Sequence, residues 1–315
     1  MTIAALGELL IDFVALESGV TVGEASGFVK APGGAPANVA VAVERLGVPA
    51  AFLGQVGDDP FGHFLADVLR AEGVDVSGLR FTDKARTSLA FVSLAAHGER
   101  SFMFYRHPAA DMLMTPADVA LDVIENAKIF HFGSITMIHE PSRSATLAAV
   151  QHAQAKGLLI SYDPNLRLAL WDSADAAREG MRIGLEYAHI LKVSEEELEF
   201  LTGGSDARSL WHTNTQMIVV TRGENGASLY TADAEYHQDG FKVTAVDTTG
   251  AGDGFVAGLL TQIVEHQAQH PGEFPPIQAA LRFACAVGAL ATIAKGAIPA
   301  LPARAQVEAF LAGQA

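Results

Sequence analysis

Apolar residues along the chain come in short runs separated by longer amphipathic stretches. The runs Ile3–Leu9, Ala51–Val56, Ile129–Phe132, Leu158–Tyr162, Ile190–Val193 and Met217–Thr221 have the length of buried strands. Helix-length segments lie between several of them: Pro36–Leu46, Phe61–Glu72, Pro141–Ala155 and Ala174–Tyr187. Strand–helix alternation predicts an α/β fold, with a mostly parallel central sheet flanked by helices. Ligands of such a sheet bind beyond the carboxyl ends of its strands. No Pro/Ser-rich linker, low-complexity block or internal repeat cuts the sequence, so residues 1–315 are expected to form a single domain.

Two stretches break the alternation. Phe13–Lys30 and Arg86–Arg106 read as β structure without helices. Within the second, Thr87–Leu94 and Ser101–Tyr105 flank His97-Gly-Glu-Arg, the pattern of a hairpin with a Gly turn. These pieces suit a small sheet standing off the main body. As a lid it would cover a ligand; as an edge extension it would serve a dimer contact. The pattern does not choose between them.

Composition narrows the class. Half of the residues are hydrophobic and 18% are charged, against roughly 25% in an average domain. That excludes a disordered chain. The formal net charge of −15 argues against a nucleic-acid partner, whose footprint is a basic patch. The single cysteine, Cys285, rules out an intramolecular disulfide and a Cys-rich zinc site and suits a reducing compartment. The apolar N-terminal run lacks a basic leader and carries Glu8 and Asp12, so it reads as a buried first strand and not a signal peptide. The longest apolar stretch, Phe283–Ala294, is shorter than the ~20 residues of a membrane span. A soluble cytoplasmic protein without membrane contact is expected.

Glycine is clustered at two places. In Gly33-Gly-Ala-Pro-Ala-Asn38, Pro36 suits the first turn of a helix, and the paired glycines permit close backbone approach to a ligand. Asn38, one turn in, offers a donor and an acceptor. A tight turn before a packed helix explains the same residues. In Asp247-Thr-Thr-Gly-Ala-Gly-Asp253, Gly250, Ala251 and Gly252 would open an apolar helix, where backbone N–H groups make an anion site. Asp253 beside that site suits a base taking a proton from an attacking hydroxyl. Its charge also suits plain stabilisation of a helix N-terminus. There is no P-loop, early dinucleotide fingerprint, H-E-x-x-H or G-x-S-x-G motif.

Together the two clusters resemble the signatures of the PfkB (ribokinase-like) carbohydrate kinases. The first continues into Phe52-Leu-Gly-Gln-Val-Gly57-Asp-Asp59, and the second follows in the right order about 200 residues later. The resemblance spans essentially the whole chain. It implies a ribokinase-like α/β sandwich with a small β lid, here formed from about 13–31 and 86–107. It also implies ATP and Mg²⁺, with K⁺ as a further cofactor, and a homodimer through the lid in some members.

The resemblance carries roles to individual positions. Asp12, Gly33, Gly34 and Asn38 match sugar-binding positions. Asp253 matches the general base, and the backbone of Gly250, Ala251 and Gly252 the anion hole. Asp247 and Thr249 correspond to positions near a monovalent cation. Thr221, Gly223 and Gly226 match the nucleotide-binding strand and turn. In Lys192-Val-Ser194-Glu-Glu-Glu197, Ser194 replaces the commoner Asn of a nucleotide-binding motif. Glu197 keeps the acid that organises Mg²⁺ through water. Ser194 and Glu197 also fit a plain capping box.

Two segments address the sugar. Asp163-Pro-Asn-Leu-Arg167 resembles a segment of fructokinases and 2-keto-3-deoxygluconate kinases, in which Arg167 can clamp an anionic group. Phe102-Met-Phe-Tyr105-Arg106 and the following His-Pro-Ala-Ala-Asp111-Met-Leu are closer to fructokinases. There Tyr105 and Arg106 would face the sugar from the lid; otherwise they are a solvent-facing pair. The expectation is an ATP-dependent fructokinase acting on the 6-hydroxyl. The alternatives are a 2-keto-3-deoxygluconate kinase and a non-catalytic sugar- or nucleotide-binding regulatory protein.

Overall fold

The structure is a computed structural model that describes residues 2–94 and 100–314. The chain begins with β1 (Ile3–Leu6), followed by the antiparallel pair β2 (Leu10–Ser18) and β3 (Phe28–Gly33). Helix α1 (Ala35–Arg45), β4 (Ala50–Gly57), α2 (Pro60–Ala71) and β5 (Asp75–Thr82) come next. β6 (Leu89–Leu94) and β7 (Arg100–Tyr105) pair antiparallel. The turn expected at His97-Gly98-Glu99 lies outside the described residues.

The alternation then resumes. It runs through α3 (Leu121–Glu125), β8 (Ile129–Gly133), α4 (Ser142–Ala155), β9 (Leu159–Asp163), α5 (Ala174–Leu185), β10 (Ile190–Ser194) and α6 (Glu195–Thr202). β11 (Met217–Thr221), β12 (Ala227–Tyr230) and β13 (Glu235–Gln238) complete the strands, and α7 (Ala251–Gln269), α8 (Ile277–Leu290) and α9 (Arg304–Ala312) close the chain.

The large sheet has the order β13-β12-β11-β10-β9-β8-β1-β4-β5. It is parallel from β5 to β11, and only β12 and β13 run antiparallel. Val39, Val43, Leu260, Ile263 and Leu281 of α1, α7 and α8 fill the core on one face. Ala149, Val150, Met181 and Leu198 of α4, α5 and α6 fill the other. Burial on both faces explains why these strands read as continuous apolar runs. No helix among the described residues is long and apolar enough to cross a membrane.

The second sheet has the order β3-β2-β6-β7. Its start corrects one sequence expectation. The apolar run through Leu9 is not one strand: β1 stops at Leu6, and the chain passes to the small sheet at Leu10. Gly7 makes the passage possible, because a Cβ there would overlap the Pro36 ring. The order of the large sheet changes direction at β1, which lies between β8 and β4 although both follow it in sequence. A crevice at the carboxyl ends is expected at such a switch point.

Candidate active site

Two cavities meet at the N-terminus of α7. The smaller, of about 170 Å³, is lined by residues from both sheets, including Glu8, Asp12, Gly34, Asn38, Arg167 and Asp253. The larger, of about 710 Å³, includes Thr221, Gly223, Gly226, Phe241 and Ala289. Thr248 and Gly252 line both.

Asp253 lies in the first turn of α7 and is buried. Asn38, in the first turns of α1, donates from Nδ2 to Asp253 Oδ2 at 2.8 Å. Packing of α1 against α7 holds the two side chains together. Burial pushes the Asp253 carboxyl up to about 6; the Asn38 hydrogen bond opposes this, Asp163 adds to it, and Lys192 and Arg167 oppose it. Asn38 Oδ1 is buried without a hydrogen-bond partner. An orphaned acceptor of this kind is costly, and here it belongs to a residue that lines the small cavity. A ligand hydroxyl donating to it would remove the cost.

Gly33 and Gly34 are required for different reasons. A side chain at Gly33 would overlap the Asp12 carboxylate, so the missing Cβ makes room for that acid. Gly34 has a φ of 116°, in the region that favours glycine, and a Cβ there would strike the Glu8 carbonyl. The Glu8 side chain accepts from Ala35 N–H at 2.8 Å and so fastens the turn. Burial drives its carboxyl up to about 7, against the hydrogen bonds it accepts.

At the other end, Gly250 caps α7 in a left-handed conformation with φ 80°. Gly250 and Gly252 line the small cavity, while Ala251 and Gly252 line the large one. The helix start therefore forms the partition between them, and its N–H groups suit an anion. Asp247 accepts from Thr249 N–H and Oγ1 through one oxygen and from Gly296 N–H at 2.9 Å through the other. It ties the turn before α7 to the loop after α8.

Other expected residues are placed differently. Along β7, Phe104 lines the small cavity, while Tyr105, one residue on, faces away. It is 58% exposed, with its ring against Phe91. Successive strand residues point to opposite faces. Arg106, by contrast, is buried, in an ion pair with Asp111 at 2.7 Å and outside the cavity lining. Arg106 thus holds the base of the small sheet to the chain that follows.

Ser194 caps α6 and lines neither cavity. Glu197 completes the capping box by accepting from Ser194 N–H at 2.8 Å. Its other oxygen accepts from Leu166 N–H at 2.7 Å, joining α6 to the loop after β9. Cys285 is a buried core residue and also lines the large cavity.

Lys192, Asp163 and Glu8 were not singled out from the sequence as site residues, yet all three line the small cavity. The one signal was a charged residue inside an apolar strand or beside its end, which needs a partner when buried.

No group of three or more His, Cys, Asp or Glu able to hold a metal occurs among the described residues. Mg²⁺ in nucleotide sites is commonly held by phosphate oxygens and water with one or two carboxylates from the chain, and needs no such cluster. Glu197 accepts one N–H on each oxygen, which leaves lone pairs for a bound water.

Comparison with known proteins places the arrangement. Residues 2–304 match the family model for pfkB family carbohydrate kinases, and the chain belongs to that family. Fructokinase-2 of Solanum lycopersicum is 52% identical over 318 residues, covering 99% of this chain and 97% of that protein. The crystal structure of Xylella fastidiosa fructokinase with bound ATP superposes with a TM-score of 0.90 at 37% identity, covering 99% and 98% of the two chains. A double mutant of Vibrio cholerae fructokinase with fructose, ADP and potassium gives 0.86 at 37% identity, covering 98% of each.

Proposed function

We propose that the protein is an ATP-dependent fructokinase that phosphorylates the 6-hydroxyl of D-fructose. The observation that carries the reading is the buried Asn38–Asp253 pair at a glycine partition between two cavities of different size. The small cavity suits a monosaccharide and the large one a nucleotide. Identity above half to fructokinases over nearly the whole chain supports fructose as the sugar.

Asp12, Asn38 and Arg167 would hold the sugar hydroxyls at the small cavity. Asp253 would accept the proton of the attacking hydroxyl as the new O–P bond forms. The N–H groups at Gly250–Gly252 would hold the negative charge of the group in transfer. Thr221, Gly223 and Gly226 line the cavity that would take ATP. Bound Mg²⁺, which Glu197 would hold through water, supplies charge neutralisation. A potassium ion is expected at the turn that Asp247 and Thr249 order.

The four-stranded sheet acts as a lid in this reading, with Asp12 and Phe104 on its cavity side. The exposed Leu16 and Val29 of its β2–β3 pair would serve a homodimer formed through the lid.

A coupled ADP-release assay tests the activity with fructose, 2-keto-3-deoxygluconate, ribose and adenosine. Fructose is expected to be turned over fastest, with loss of rate on adding EDTA. Equal or faster turnover of any other member overturns the substrate, and ATP turnover indifferent to EDTA overturns the metal.

A further inference from the structure

Residues 83–88 carry the chain from β5, at the edge of the large sheet, to β6 in the small one. Thr87 lies near the end of this crossing and is buried. Its backbone N–H donates to Asp59 Oδ2 at 2.8 Å, and its hydroxyl donates to Asp59 Oδ1 at 2.9 Å. The hydroxyl oxygen accepts in turn from Gly57 N–H at 3.1 Å. Asp59 also caps α2, where Oδ1 accepts from the N–H groups of Phe61 and Gly62.

The backbone closes tightly around this contact. A Cβ on Gly57 would overlap Asp59 Oδ2 and Thr87 N, and one on Gly62 would overlap the Gly57 carbonyl. One socket for Thr87 therefore accounts for Gly57, Asp59 and Gly62 together. None of the three lines either cavity. A helix cap needs only the bonds to Phe61 and Gly62. Asp59 Oδ2 takes no part in that cap and is turned to Thr87.

Thr87 roots the strand that carries the cavity side of the small sheet. The carbonyl of Ser88, the next residue, accepts from Ile11 N–H at 3.1 Å and joins β6 to β2. Asp12, Ala90 and Phe104 then stand opposite one another in a single row across β2, β6 and β7. Asp12 and Phe104 both line the small cavity. Ala90, between them, is three residues beyond Thr87, about 10 Å along the strand.

We infer that Asp59 is a positioning residue: by gripping Thr87 it sets the height of the Asp12–Ala90–Phe104 row over the sugar. The inference rests on the kinase reading above, with the small cavity as the sugar site. Asp59 lies outside that cavity, so its effect on the reaction passes through Thr87 and β6.

The test compares Thr87→Val, which keeps the shape and removes the hydroxyl, with Thr87→Ser, which keeps the hydroxyl. Asp59→Asn is a second arm should Thr87→Val fail to fold, because a carboxamide has one acceptor oxygen where the carboxylate has two. Asp111 accepts from Ser88 Oγ and keeps β6 attached in all three. Thr87→Val and Asp59→Asn are expected to raise the KM for fructose about tenfold or more, and to lower kcat less, while Thr87→Ser stays near wild type. The double variant Asp59→Asn/Thr87→Val is expected to match the worse single one, since both break one contact. ADP affinity by calorimetry is expected to be unchanged throughout, because no residue before Thr221 lines the large cavity.

A lowered Tm with an unchanged KM for fructose makes Asp59 a plain helix cap and overturns the inference. An equal loss of ADP affinity overturns it too, as does a double variant in which the two effects multiply. If the wild type prefers another sugar, the fructose reading fails alone, and the KM for that sugar decides Asp59. If no sugar is turned over, the kinase reading fails and hydrogen exchange decides the grip. The amides of β2 and β6 are expected to exchange faster in Thr87→Val but not in Thr87→Ser, with β10 and β11 unchanged. Wild-type protection of β2 and β6 in Thr87→Val overturns it.

Discussion

Asn38 Nδ2 donates to Asp253 Oδ2 at 2.8 Å, linking the first turns of two helices that pack side by side. The bond fixes which oxygen of the acid remains for chemistry. It leaves Asn38 Oδ1 as an unsatisfied acceptor in the same cavity.

Replacing the acid tests the proposed base without emptying the site. Asp253→Asn is expected to lower kcat by about 10²–10⁴-fold or more, with sugar and ATP affinities little changed. Steady-state rates with calorimetric binding check this. Turnover close to wild type would mean that the proton leaves by another route.

The Asn38 bond also sets the pH at which Asp253 can work. Burial raises the carboxyl to about 6 and the bond holds it down. Asn38→Leu is therefore expected to push the acid limb of the kcat/KM profile to higher pH and to raise the KM for sugar. An acid limb at the wild-type position in that variant would separate Asn38 from the ionisation.

Glu8 gives the stability a pH dependence of definite sign. Its folded value of about 7 exceeds the ordinary 4.5, so between the two the folded state binds more protons than the unfolded one. Stability from this group is full below pH 4.5 and declines as pH rises through 7. Asp253 adds a decline of the same sign between its ordinary 3.8 and about 6. Glu8→Gln is expected to flatten the fall in Tm between these limits and to raise Tm at pH 8. Thermal melts across the range check it. A steeper fall in the variant would contradict the assignment.

Gly33 makes room for Asp12, not for the chain. Gly33→Ala is expected to raise the KM for fructose more than it lowers Tm, because the added methyl displaces the Asp12 carboxylate. Gly34→Ala meets backbone at positive φ and is expected to cost stability first. Paired melts and KM measurements distinguish the two.

Ser194 acts through the helix it caps. Ser194→Ala is expected to cost about 0.5–2 kcal/mol, with the nucleotide KM unchanged, and Ser194→Asn far less. A selective rise in the KM for ATP in Ser194→Ala would give Ser194 a direct role at the nucleotide.

The large sheet was legible in the sequence because parallel strands buried on both faces must be apolar throughout. The same uniformity hid the break at Gly7. Apolar residues continue across it although Ile3 and Ile11 belong to different sheets. The glycine clusters were legible because close approach and positive φ restrict the residue type. The sugar-facing side of β7 was not. In Phe102-Met-Phe-Tyr-Arg106 every second residue is aromatic or long on either choice of face, and a slip of one position exchanges Phe104 for Tyr105. Lys192 was passed over because one lysine in a strand carries no spacing. Its meaning comes from Asp163, which reaches it from the neighbouring strand β9.

Asn38 and Asp253 stand 215 positions apart. In a chain growing from its N-terminus, β1 to β13 are all made before α7. Such a chain already contains Asp12 and the Gly33–Gly34 turn, but neither the proposed base nor the partition. On the proposed reading, a chain interrupted before α7 lacks both Asp253 and the glycine partition and is expected to be unable to spend ATP.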